Sequence, residues 1–147
     1  MTDAADLAAL TGLEQLRAMM RGEGPPATIG LTLDFRLTEV AEGRAVFVGR
    51  PGAGHLNPMG GVHGGWIATL LDSAAGCACH STLAPGESYV SAEIKASFLR
   101  GLRADSGEVR VEGTVLHRGR RMALTEARMT DAQGRLVAHA TSTCMIL

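Results

Sequence analysis

Aromatic side chains are scarce in this 147-residue sequence, which has one Trp, one Tyr and three Phe. So few rings exclude the stacking platforms on which proteins hold single-stranded nucleic acid. Neither sign of charge prevails: 14 basic residues against 15 acidic ones leave a formal net charge of −1. Like charges form no runs, so neither nucleic acid nor an anionic membrane is an expected partner. No apolar run approaches the length that crosses a bilayer, and the first residues carry neither the basic stretch nor the apolar stretch of a leader; the expected location is cytoplasmic. The three cysteines, Cys77, Cys79 and Cys144, are odd in number and sit among apolar neighbours, which reads as free core thiols. Cys77 and Cys79, two apart on a helix, point to different faces, which argues against a metal or redox pair. No Gly-Lys-Ser/Thr follows the Gly-rich loop, and no G-x-S-x-G or H-E-x-x-H occurs, so the familiar phosphate-loop, serine-hydrolase and zinc-peptidase signatures are absent.

What is present fits one domain over residues 1–147, with residues 1–27 as an N-terminal helical segment and linker. A chain of about 150 residues buries roughly 70% of its unfolded surface, enough for a real core. Leu7, Leu10, Leu13, Leu16 and Met20 recur at helical spacing within residues 3–21, and Thr11 with Glu14 forms a capping box that restarts the helix near residue 12. Leu31, Leu33, Phe35 and Leu37 alternate with polar residues and predict a strand that turns at Glu42-Gly43 and returns over Arg44–Val48. Later, Val90, Ala92, Ile94, Ala96 and Phe98 predict one face of a long strand, with Ser91, Glu93, Lys95 and Ser97 on the other. Three further strands follow from 109, near 121–130 and near 135–146, separated by Arg118-Gly119-Arg120 and Asp131–Gly134 turns.

Between these strand regions lies the most informative stretch, Asn57 to His80. A Gly/His loop, Asn57-Pro58-Met59-Gly60-Gly61-Val62-His63-Gly64-Gly65, runs into a helix whose residues from Trp66 to Cys79 are apolar or small on every face except for one acid, Asp72. Such a helix is normally buried. An ionised carboxylate inside it costs several kcal/mol unless partnered, so Asp72 demands a reason. Two strands, one buried helix and four strands make an α+β unit whose antiparallel sheet wraps round a long central helix, an order that matches the hotdog fold, although the pattern alone also permits other α+β sandwiches.

A helix starting near Gly64 offers unpaired N–H groups and a positive dipole end, which suit an oxyanion such as that of a tetrahedral thioester intermediate; losing one such donor typically raises the barrier by about 3 kcal/mol. Gly64 and Asp72 are eight residues apart, about 12 Å along a helix, whereas attack and oxyanion stabilisation converge within about 3 Å of one carbonyl. One copy of the helix cannot do both. Two antiparallel copies across a two-fold axis would set Gly64 of one beside Asp72 of the other, so a catalytic reading requires a dimer.

The loop motif followed by Leu70-Leu71-Asp72 resembles the signature of the hotdog acyl-CoA thioesterases of the phenylacetate-degradation (PaaI-like) family. The likeness continues through Tyr89–Phe98, His117-Arg118-Gly119-Arg120 and Gly134–Ala138. The resemblance implies hydrolysis of an acyl- or aryl-CoA thioester without metal or redox cofactor, in a homodimer that often pairs into a homotetramer. It implies Asp72 as nucleophile or general base, Gly64 N–H as oxyanion donor, Asn57 orienting thioester or water, and Ser91 as a polar helper facing the acid. His63, Gly65, Met59, Trp66 and Tyr89 are candidate substrate contacts or walls. Arg118, Arg120 and Arg121, clustered with Arg100 and Arg103 near strand ends, are candidates for the CoA phosphates. Rival readings are an acyl-thioester hydratase or dehydratase, which needs an Asp and a His at one site, and a non-catalytic acyl-CoA-binding protein. His80 is also about 12 Å along the helix from Asp72, too far for a dyad within one chain.

Overall fold

A computed structural model describes residues 4–147; the first residues of the helix expected from residue 3 lie outside that range. The central element is α4 (Gly64–His80), and six strands cover it: β1 (Phe35–Ala41), β2 (Arg44–Gly49), β3 (Tyr89–Phe98), β4 (Val109–Arg118), β5 (Met122–Thr130) and β6 (Leu136–Ile146). They form one antiparallel sheet in the order β1-β2-β4-β5-β6-β3. This is the hotdog arrangement expected from the element order. Three short helices, α1 (Ala4–Ala8), α2 (Gly12–Met20) and α3 (Thr28–Leu33), precede it.

Two clusters hold α4 against the sheet. Trp66, Ile67, Leu70 and Leu71 meet Phe35, Phe47, Val109, Val111, Met129 and Val137, whereas Cys79 toward the far end meets Ala123 and Cys144. Leu70 and Leu71 are fully buried, each contributing about 1.5–3 kcal/mol. Between the clusters the helix comes so close that a Cβ on Gly113 of β4 would lie 2.1 Å from the Ala74 carbonyl oxygen. Only glycine allows that approach.

The N-terminal helices follow the sequence at one point and depart from it at another. The capping box forms: Thr11 Oγ1 accepts from Glu14 N at 3.3 Å and Glu14 Oε2 accepts from Thr11 N at 2.8 Å. The strand expected from Leu31 does not. Residues Thr28–Leu33 are helical, and β1 begins only at Phe35. Asp34 adopts a left-handed conformation (φ 55°) that ends α3, and the Leu33 carbonyl accepts the Trp66 indole N–H at 2.8 Å. A tertiary donor thus satisfies a helix-end carbonyl, and alternation that also suits a short helical turn is overridden. Leu31, assigned to the inner face by alternation, is 73% exposed.

β3 carries a second departure. Ser91 pairs with Cys144 but Glu93 pairs with Thr143, so Ala92 is the extra residue of a bulge. Residues opposite each other share a face, and Cys144 is buried toward α4. The bulge therefore turns Ser91 to the helix side, away from the face shared by Glu93 and Thr143, where simple alternation had placed it.

Candidate active site

The loop before α4 is tied together by its own polar groups. Asn57 N donates to Gly61 O at 2.8 Å, and Asn57 Oδ1 accepts from Met59 N at 2.9 Å and Gly61 N at 3.2 Å. The side-chain oxygen is thereby spent on the turn, and the amide Nδ2 has no acceptor among the described residues. Val62 N donates to Leu102 O at 2.9 Å and His63 N to His55 O at 2.8 Å, while His55 Nδ1 accepts from Gly52 N at 3.1 Å. The His55 ring stacks on Trp66 with centroids 5.7 Å apart. These contacts fix the angle at which the chain enters the helix.

At the helix start His63 is the N-cap. Its Nδ1 accepts from Gly65 N at 2.8 Å and its carbonyl from Trp66 N at 3.0 Å. An imidazole accepting at Nδ1 carries a proton on Nε2. Gly64 N–H has no acceptor among the described residues. The exposed Gly65 amide is taken, so Gly64 is the open donor of this helix end.

Along α4, residues four apart lie in a row, and Gly64, Ala68, Asp72, Gly76 and His80 form the row beside β3. A Cβ on Gly64 would stand 3.4 Å from the Phe98 ring, and one on Gly76 would stand 2.5 Å from the Tyr89 hydroxyl. Ser91 Oγ donates to Asp72 Oδ1 at 2.9 Å. The helix is not buried on every face: Asp72 is half-buried and Ser91 exposed, because β3 is the edge of the sheet and no strand among the described residues lies beyond it. Buriedness of the acid, expected from the surrounding sequence, is incomplete in a single chain for that reason.

The other candidate residues are dispersed. Trp66 is 3% exposed and lines a groove of about 340 Å³ with His55, His63, Gly65 and Thr69. A second groove of about 350 Å³ opens on the other side of Gly64, between Ile67, Phe98, Leu99, Arg100 and Leu102. A larger one, about 420 Å³, lies between α2, α3 and β1 and contains neither Gly64 nor Asp72. Met59 is 88% exposed and encloses nothing. Arg118, a candidate for the CoA phosphates, donates to Thr82 Oγ1 at 2.9 Å and Glu87 Oε2 at 3.0 Å near the C-terminus of α4. Arg120 and Arg121 are exposed in the hairpin beyond it.

His80 donates to Gln15 Oε1 at 2.8 Å and meets Tyr89 edge-on, so it serves the docking of α2 and does not reach Asp72. Burial holds its pKa below the ordinary histidine value. Burial, reinforced by the Asp72 charge, pushes the Cys77 thiol up to about 12, and burial likewise raises Tyr89. The sequence pointed to neither His55 nor Phe98 as part of the site. The inward alternation of Phe98 was the available signal; the His55 stack had none.

Comparison with known proteins fits this geometry. The family model of the thioesterase superfamily matches residues 59–138. A protein of Saccharolobus solfataricus described as a candidate esterase is 34% identical over 116 residues, 78% of this chain and 80% of its own. A phenylacetic acid degradation-related candidate thioesterase from Ralstonia eutropha JMP134 is 31% identical, with a TM-score of 0.81 over 88% of this chain and 98% of that one. A Streptococcus mutans UA159 protein solved with bound acetyl-CoA is 25% identical, with a TM-score of 0.71 over 78% of this chain and 89% of that one.

Proposed function

Because the chain belongs to the thioesterase superfamily, we propose that it is a homodimeric acyl-CoA thioesterase in which Asp72 of one subunit and Gly64 N–H of the other act on one carbonyl. The observation that carries this reading is the open Gly64 amide, eight residues from an acid whose Oδ1 is already engaged by Ser91. The acetyl-CoA held by the Streptococcus mutans relative supports CoA as the carrier.

A second copy supplies what one chain lacks. Ala68, midway between Gly64 and Asp72 on the same helical row, would lie on the two-fold axis, and its small side chain lets two helices approach. The unpaired edge of β3 and the exposed Val90, Ile94, Phe98 and Leu99 beside it support a self-complementary contact there. The same contact would complete the burial of Asp72.

In the site, the thioester oxygen accepts from Gly64 N–H, with Asn57 Nδ2 as a further donor to the oxygen or to water. Ser91 occupies Oδ1, so Oδ2 is the working oxygen of Asp72. By one route Oδ2 attacks the carbonyl carbon, the tetrahedral oxyanion collapses with expulsion of CoA thiolate, and water cleaves the resulting mixed anhydride. By the other, Oδ2 takes a proton from water as the water attacks, and the departing thiolate receives a proton as the intermediate collapses. Single turnover in ¹⁸O-water tests the first route, because water attacking the anhydride at the Asp72 carbonyl leaves ¹⁸O in Asp72, which the second route cannot do. Arg120 and Arg121 remain the CoA-phosphate candidates of the hairpin; the Arg118 guanidinium is engaged by Glu87.

The test is thiol release from acyl-CoA by wild type and Asp72→Asn. The variant retains a side-chain acceptor for Ser91 and is expected to lose about 10³-fold in kcat with its assembly intact. Turnover within threefold of wild type removes Asp72 from the mechanism.

A further inference from the structure

Among the arginines near strand ends, one is distinguished by where its backbone is pinned and by the groove it lines. At the end of β3 the Leu99 and Arg100 amides both donate to Val137 O, at 2.8 and 3.1 Å, and the chain leaves the sheet edge. Two residues on, Leu102 is buried beneath the start of α4 and its carbonyl holds Val62 N–H. Arg100 is suspended between these anchors and lines the groove of about 350 Å³ that begins at Gly64. The remaining lining residues are Val62, Ile67, Phe98, Leu99, Gly101 and Leu102, so no carboxylate faces the guanidinium there. Arg103 lies 3.7 Å from Asp105 and Arg118 lies 3.0 Å from Glu87, whereas Arg100, like Arg120 and Arg121, has no ion pair among the described residues; of these three only Arg100 lines the groove at Gly64.

The groove is therefore lined by Gly64, whose amide is open, by apolar walls, and by Arg100, whose guanidinium has no ion-pair partner among the described residues. We propose that Arg100 anchors the anionic end of a thioester substrate whose reacting carbonyl is held at Gly64. The inference rests on the thioester-hydrolase reading above. Guanidinium offers two parallel N–H donors to paired oxygens, and substrates of this class carry such oxygens in two places, the CoA phosphates and a remote carboxylate on some acyl groups. Phe98 and Leu99, 54% and 59% exposed, form the lip over which the uncharged part of the substrate passes.

The experiment compares wild type, Arg100→Ala and Arg100→Lys on butyryl-CoA, butyryl-pantetheine and glutaryl-CoA. Arg100→Ala is expected to raise KM about tenfold with kcat within twofold, and Arg100→Lys to recover part of the loss. A rise on both CoA esters but not on the pantetheine ester identifies a phosphate; a rise on glutaryl-CoA alone identifies the carboxylate. KM unchanged on all three, or the same loss on butyryl-pantetheine as on the CoA esters, overturns the proposal. Calorimetric titration with CoA and with glutarate reads the anchor without turnover. If wild type cleaves no thioester but Arg100→Ala binds either compound tenfold more weakly, the anchor stands and the hydrolytic reading falls. If wild type cleaves thioesters with no dependence on residue 100, only the anchor falls.

Discussion

Gly64→Pro removes one hydrogen-bond donor and almost nothing else. Proline is favoured at the first position of a helix, and the residue before it must be extended; His63 already has φ −64° and ψ 135°. The cap from His63 Nδ1 to Gly65 N is untouched, and the new Cβ meets the Phe98 ring at 3.4 Å, an ordinary contact. Losing one oxyanion donor costs about 2.7–4 kcal/mol, or roughly 10²–10³ in kcat. Gly64→Ala, which adds the same Cβ but keeps the N–H, is the control and should lose much less. The decisive assay coexpresses Gly64→Pro with Asp72→Asn under separate affinity tags. If the site is shared, each mixed dimer holds one intact site and one doubly altered one. Random pairing makes half the dimers mixed, so about a quarter of wild-type activity returns although each parent is nearly inactive. No recovery in purified mixed dimers refutes the shared site, and Gly64→Pro acting within threefold of wild type refutes the oxyanion role.

Other consequences are more local. Gly113→Ala forces a Cβ against the Ala74 carbonyl and should lower the stability read by urea unfolding by about 3 kcal/mol; a loss below about 1 kcal/mol would mean that α4 can shift off β4 freely. His80 is held below its unfolded pKa by burial, so the unfolded chain binds the proton more readily. Its contribution is complete above about pH 6.5 and is lost as pH falls toward the folded value. His80→Gln should flatten that part of the stability profile, and identical profiles for the two proteins would contradict the assignment. The native cysteines should resist Ellman's reagent at pH 8, because burial pushes the Cys77 thiol up to about 12 and Cys79 and Cys144 are fully buried; urea should expose all three, and fast native labelling would show that α4 opens.

Much of this molecule was legible before any coordinates. The small and apolar run of residues 66–79, interrupted by one acid, is too long for a single strand and reads as a central helix, which it is, although the face carrying Asp72 is only partly covered. The capping box at Thr11 and Glu14, the Glu42-Gly43 turn and the later hairpins also follow from local chemistry, since each is closed by residues within a few positions of one another. The spacing of Gly64 and Asp72 is equally legible, because helix rise is a constant of the backbone, and with it the condition that a catalytic reading of the pair needs a second subunit.

Long-range contacts decided the rest. Alternation from Leu31 onward could not reveal that the Trp66 indole, 33 positions away, would supply a donor to the Leu33 carbonyl. Nor could it show the bulge at Ala92 that aims Ser91 at Asp72, because a bulge is a mismatch between two strands and is written in neither alone. The sequence determined which candidate groups lie on the central helix and its loop and how far apart one helix keeps them. Tertiary structure decided which remain open: Gly65 N–H is capped by His63 while Gly64 N–H is not, and Arg118 is engaged by Glu87 while Arg100 is left at the groove. A donor or charge is spent by whatever folds beside it, and that neighbour is set by packing, not by its own position in the chain.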